Sequence, residues 1–164
     1  MKRREFLRTA GGAAGGAAAA SAATSPAVAA ENGDGGDGGG GGGQPDFGDW
    51  FSDVGNYDGS VVNARGQDRV TVSVGAEGNG GNYAFDPPAI HVDAGTTVEW
   101  EWTGLGQQHN VITDGDRGYE SELTAEEGHT FEYTFEESGI SQYYCVPHEN
   151  LGMKGAVVIG DDFP

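Results

Sequence analysis

Through the middle and end of the chain, apolar and polar residues take turns. Val70-Thr71-Val72-Ser73-Val74 alternates, and Thr96-Thr97-Val98-Glu99-Trp100-Glu101-Trp102 does so more strongly. In the second run Val98, Trp100 and Trp102 share one face, with Glu99 and Glu101 opposite. Thr130-Phe131-Glu132-Tyr133-Thr134-Phe135 repeats the scheme. A period of two belongs to strands with one buried and one wet face, because successive side chains point to opposite sides. Further strands are expected at 60–64, 89–92, 108–113, 139–145 and 155–159. Turn signals separate them: Asp86-Pro87-Pro88, Asp93-Ala94-Gly95, Asp114-Gly115-Asp116, Glu127-Gly128 and Ser138-Gly139. Short strands broken so regularly predict an all-β sandwich or barrel. Residues 46–59 fit a short helix or a packing arm, and 120–127 has room for one helical turn. Alternation puts Trp100, Trp102, Phe131, Tyr133 and Phe135 in the core and points His91 to solvent. Tyr143 and Tyr144 are expected to pack.

The front of the chain is built differently. Of the 31 glycines among 164 residues, 13 precede residue 45, so that segment has no material for a core and the globular part is residues 46–164. Met1-Lys2-Arg3-Arg4-Glu5-Phe6-Leu7-Arg8 reads as a twin-arginine export signal, followed by a weakly apolar stretch and the small residues Pro26-Ala27-Val28-Ala29-Ala30. Residues 1–30 are therefore expected to be a signal peptide, and 31–45 a Gly/Asp-rich flexible linker. Such a signal implies delivery outside the cytoplasmic membrane. No cysteine stands near residue 30 to carry a lipid, so the expectation is that the mature protein is released, with at most peripheral membrane association, or that an uncleaved signal segment holds it.

Charge narrows the function classes. The formal net charge is -18; without residues 1–30, 4 basic and 25 acidic residues remain, a net of -21. A chain this acidic offers no basic surface for nucleic acid. Self-repulsion of that size works against a compact domain, but in molar salt the Debye length falls to about 3 Å. Adaptation to high salt is expected. Cys145 is the single cysteine, which excludes a disulfide framework.

The candidate chemistry lies in Tyr144-Cys145-Val146-Pro147-His148-Glu149-Asn150-Leu151-Gly152-Met153, together with His109-Asn110-Val111 upstream. His109, Cys145, His148 and Met153 supply two imidazoles, one thiolate and one thioether. Three strong donors and a weak axial sulfur suit a blue-copper electron-transfer site. An unpaired thiol in an exported domain would otherwise be exposed to oxidation, and a metal accounts for it. Pro147 has no N–H to donate to the Cys145 sulfur. His91 and His129 fall outside the ligand spacing. Three rival readings are weaker. An oxidase or nitrite-reducing domain needs histidines for a second copper, and only four exist. A zinc or copper-delivery module has little use for Met153. A metal-free adhesion sandwich leaves the donor pattern unexplained.

Residues 83–160, and loosely 55–164, resemble the halocyanins, blue copper proteins of the plastocyanin-like branch of the cupredoxins. The matching pieces are Tyr83-Ala84-Phe85-Asp86-Pro87-Pro88-Ala89-Ile90-His91-Val92, Thr97 to Trp102, His109-Asn110-Val111, Tyr119-Glu120-Ser121-Glu122-Leu123, and Tyr144-Cys145-Val146-Pro147-His148 with Met153. The resemblance implies an eight-stranded Greek-key sandwich holding one type 1 copper ion. It implies that His109, Cys145 and His148 form the trigonal set and Met153 the axial contact, with Asn110 tying the His109 strand to the Cys145 loop. It also implies a one-electron carrier and not an enzyme. Its partners are expected to be redox proteins docking near His148 and Leu151, with Leu105 and Gly106 nearby, and the protein is expected to be a monomer.

Overall fold

In the computed structural model, residues 44–162 are described. The export signal expected over 1–30 and most of the linker expected over 31–45 lie outside the described residues. Nine strands make up the body: β1 (Val62–Asn63), β2 (Arg69–Gly78), β3 (Gly81–Asp86), β4 (Ala89–Val92), β5 (Thr96–Trp102), β6 (Ile112–Asp114), β7 (Thr130–Phe135), β8 (Gly139–Tyr144) and β9 (Lys154–Ile159). They form two sheets, ordered β1-β4-β9-β8-β6 and β3-β2-β5-β7. The pairs β1/β4, β4/β9 and β2/β5 are parallel and the others antiparallel. Parallel neighbours cannot be joined by a hairpin, so the chain crosses between sheets. This is the Greek-key sandwich expected, with nine strands instead of about eight.

Alternation accounts for the core. Val72, Val74, Val98, Trp100, Trp102 and Phe135 of one sheet meet Ile90, Val92, Tyr143, Val157 and Ile159 of the other, all buried. Phe131 and Tyr133, on β7 at the edge of its sheet, are only half-buried against this core. The strand absent from the sequence reading, β3, does not alternate: Gly81, Asn82 and Tyr83 are half-buried, then Ala84 and Phe85 are both buried.

Four local expectations are corrected. The strand expected at 108–113 shrinks to β6, with His109 joined to Thr124 and Ile112 to Glu120 by single bridges. These bridges extend 120–124, which therefore makes no helical turn. The strand expected at 60–64 keeps only Val62 and Asn63. His91 does not stand free in solvent: it is half-buried and its Nε2 lies 2.7 Å from the Gly160 carbonyl.

Residues 46–59 form an arm of successive turns, not a helix. Phe51 and Val54 pack on Ala89 and Ala156, on the outer face of the five-stranded sheet. This covering explains β9, whose Gly155 to Ile159 are buried on both faces. The Trp50 indole donates to the Gly155 carbonyl (3.0 Å), and Lys154 pairs with Asp53 (2.8 Å).

Candidate metal centre

The donor side chains come from both sheets' connections. Cys145 follows β8 directly. His148 sits in the 3-10 turn Val146–Leu151, which Pro147 opens and Gly152, at φ 93°, closes. Met153 comes next, immediately before β9. His109 arrives from the β5–β6 connection, held by two backbone hydrogen bonds to Thr124 (2.9 and 3.1 Å) and by the Trp102 indole donating to its carbonyl (3.1 Å).

These elements bring His109, Cys145 and His148 together. The two histidine Nδ1 atoms are 3.1 Å apart, and the Cys145 Sγ lies 3.7 Å from His109 Nδ1 and 3.5 Å from His148 Nδ1. Among the described residues this is the cluster of three His, Cys or acidic side chains able to hold a metal ion, and all three are buried. Arms of about 2.0 Å to nitrogen and about 2.3 Å to sulfur around a trigonal ion separate the donors by about 3.5–3.7 Å. The triangle is close to that size, so the residues fit a small ion of mixed N/S preference. Met153 is fully buried beside it. Its carbonyl accepts from the Cys145 N–H (3.1 Å) and its N–H donates to the His148 carbonyl (3.2 Å), so its backbone is fixed to two of the three donors.

The surroundings prepare the donors. His109 Nε2 is 2.7 Å from the Leu105 carbonyl, which can only accept. The ring proton therefore sits on Nε2 and the Nδ1 lone pair faces the cluster. Burial lowers the pKa of His109, with the Leu105 bond opposing and His148 adding to the effect. Burial also lowers that of His148. Both rings are thus kept neutral, as ligands must be. Without an ion, burial pushes the Cys145 thiol up to about 11, against the pull of the Asn110 and His148 amides. A thiol so reluctant to ionise needs a cation beside it to become a thiolate. Asn110 bridges the two donor segments: its Oδ1 accepts from the Val146 N–H (2.8 Å).

The two histidines are not equivalent. His109 is 1% exposed and His148 7%, with Tyr83 lying against the His148 ring at 4.6 Å between centroids. Four of the large apolar side chains that remain exposed adjoin this end: Leu105, Leu123, Val146 and Leu151. His91 and His129 stand away from the cluster. His129 packs edge-on against Trp102 and reaches Glu122 at 3.5 Å.

Two supports escaped the sequence reading. Gly75 (φ 85°) interrupts the β2–β3 register, and a Cβ there would lie 2.6 Å from the Leu105 oxygen and 3.0 Å from His109 Nε2. Gly106 (φ 79°) is equally constrained, its Cβ position being 2.9 Å from His109 Nε2. A glycine ending an alternating run, and a Gly104-Leu105-Gly106 loop, were the available signals.

Comparisons with known proteins find copper-binding relatives. Residues 70–160 match the copper binding proteins of the plastocyanin/azurin family. Halocyanin of Natronomonas pharaonis is 51% identical over 105 residues, which span 63% of this chain and 63% of that protein's length. Plastocyanin of Scenedesmus fuscus is 32% identical over 99 residues, spanning 55% of this chain and 98% of that protein. Of solved structures, pseudoazurin from Methylobacterium extorquens AM1 superimposes with a TM-score of 0.47 at 26% identity, covering 58% of this chain and 78% of that one.

Proposed function

The chain belongs to the plastocyanin/azurin family of copper-binding proteins, and from that premise we propose that it carries single electrons at one mononuclear type 1 copper site. The observation that carries this reading is the buried triangle of His109 Nδ1, Cys145 Sγ and His148 Nδ1. In this reading those three would be the strong donors and Met153 a weak fourth one, the set that suits blue copper. Bound copper supplies a reversible one-electron couple and the sulfur charge transfer that gives a blue colour. The protein's contribution is to hold the donors still. Two bonds to Thr124 fix His109, the Leu105 carbonyl fixes its tautomer, and Asn110 fixes the start of the His148 turn. Neither donor segment needs to move when an electron arrives or leaves.

The exposure of Val146 and Leu151, which belong to the same turn as His148, and of Leu105, whose carbonyl meets His109, supports docking of redox partner proteins at that end. High salt screens steering by charge, so close apolar contact is what such a partner would use. The Arg3-Arg4 signal and the acidic surplus support export by the twin-arginine route, work in a saline medium outside the cytoplasmic membrane, and at most peripheral membrane association. The test is a visible and electron-spin spectrum of the protein loaded with copper(II), beside Cys145→Ser. An intense blue band with narrow copper hyperfine splitting, both lost in the variant, is expected. A colourless complex in the parent protein overturns the reading.

A further inference from the structure

The segment Gly152-Met153-Lys154-Gly155 is gripped from outside the sandwich, by groups that are not donors. Asn79 stands in the Asn79-Gly80 turn between β2 and β3, at φ 58°. Its amide Nδ2 donates to the Gly152 carbonyl (3.0 Å) and to the Tyr83 carbonyl (2.7 Å), while its Oδ1 accepts from the Gly55 N–H of the arm (2.7 Å). One side chain thus joins the arm, the β2–β3 turn and the connection that carries Met153. The arm adds three contacts of its own. The Asp53 carbonyl packs so near Gly152 that a Cβ there would be 2.1 Å away. Asp53 pairs with Lys154, and Trp50 donates to Gly155.

On its inner side the turn carrying two donors is held mainly by local backbone bonds, among them Gly152 N–H to Glu149 (3.0 Å), Met153 N–H to His148 (3.2 Å) and Lys154 N–H to Gly152 (3.0 Å), with Asn110 tying its start. Short loops with few internal contacts open locally at low cost. We propose that Asn79, with the arm over 46–59, is an outer clamp that positions the His148 and Met153 segment, so that the donor spacing exists before metal binds. Asn79 is a positioning residue, and the role rests on the copper reading above. Its position beside Tyr83, whose ring lies on His148 (4.6 Å), lets the same side chain steady both the Met153 and the His148 flanks.

The experiment starts from the metal-free protein in molar salt, by hydrogen exchange at single amides. Asn79→Gly removes the side chain while accepting the positive φ. Asn79→Asp keeps the acceptor for Gly55 but loses both donors. In each variant the amides of Gly152, Met153 and Lys154 are expected to exchange at least tenfold faster, with Val98 and Trp100 in β5 unchanged. Reloaded with copper(II), both variants are expected to show an altered ratio of the two visible charge-transfer bands and faster copper loss to a chelator. Unchanged exchange at 152–154, or a rise shared equally with β5, overturns the clamp. A parent protein that never turns blue overturns the carrier reading instead and leaves the exchange result to be judged separately.

Discussion

At the scale of single residues, function rests on a few polar atoms with one available partner each. The Leu105 carbonyl can only accept, so it dictates the His109 tautomer. Met153 is held by its backbone to Cys145 and His148, and its side chain is fully buried. Met153→Gln exchanges a soft sulfur for a harder oxygen, which favours copper(II). The reduction potential, read by voltammetry, is expected to fall by tens of millivolts or more; an unshifted value places the sulfur off the axis. Leu151 is 47% exposed beside the His148 turn. Leu151→Glu is expected to slow bimolecular electron exchange at least severalfold while the blue band stays intact, and stopped-flow mixing with a redox partner measures it. The candidate donors were suggested by spacing, because Cys145, His148 and Met153 lie within nine residues, and the fold brings His109 beside Cys145 and His148. The support from Gly75 was not legible, because nothing around His109 says which strand will approach it; the Leu105 carbonyl and Gly106 lie in its own loop, but only the folded loop turns them onto the ring.

At the scale of elements, alternation was reliable wherever one face is buried and the other wet, as in β5 and the first half of β2. It failed where both faces are covered or the pairing is irregular. β9 is buried on both sides because the arm lies over it, and β3 contains no alternation to read. The bulge at Gly75 is the element that brings β2 close to Leu105 and His109. Gly75→Ala places a methyl against backbone and ligand, and it forces an L-residue to φ 85°. The backbone term alone costs about 1–2 kcal/mol. Urea unfolding in molar salt is expected to show at least that loss. Copper affinity is expected to fall in the same variant, since the Leu105 carbonyl must shift. An alanine variant as stable as the parent contradicts the crowding argument.

At the scale of the whole molecule, two collective properties matter. The first is charge. Of the four cations beyond residue 30, Arg65 pairs with Asp93 and Asp161, Arg69 with Glu99 and Glu132, and Lys154 with Asp53, while Arg117 lies over the Phe135 ring. Three of the four are thus already paired with carboxylates, which leaves most of the acidic side chains without a cation. Dialysis from molar to millimolar salt is expected to unfold the metal-free domain, as read by loss of near-ultraviolet dichroism. Full retention of structure in dilute buffer counts against salt adaptation. The second is the buried aromatic core. Tyr119 bonds Ser141 (2.8 Å), and burial raises its pKa to about 12 from an ordinary 10.0. The folded state keeps this proton longer than the unfolded chain. Its contribution to stability is therefore whole below pH about 10 and is lost as pH climbs through about 12. Tyr119 is expected to ionise only as the domain unfolds, and Tyr119→Phe should move the alkaline midpoint upward, followed by tyrosinate absorbance.

The amino-acid sequence by itself determined the all-β class, the strands with one wet face, and the identity of the four candidate donors. These depend on the two-residue period and on short spacings, which are properties of neighbours in the chain. Tertiary structure alone decided the size of the donor triangle, the proton position on His109, and the grip of the arm and Asn79 on the segment before β9. The triangle joins His109 to residues nearly forty positions on, and Asn79 reaches Gly152 from still farther along the chain, so only the packing of two sheets sets those distances; the His109–Leu105 contact is local, but it depends on how the loop between them folds.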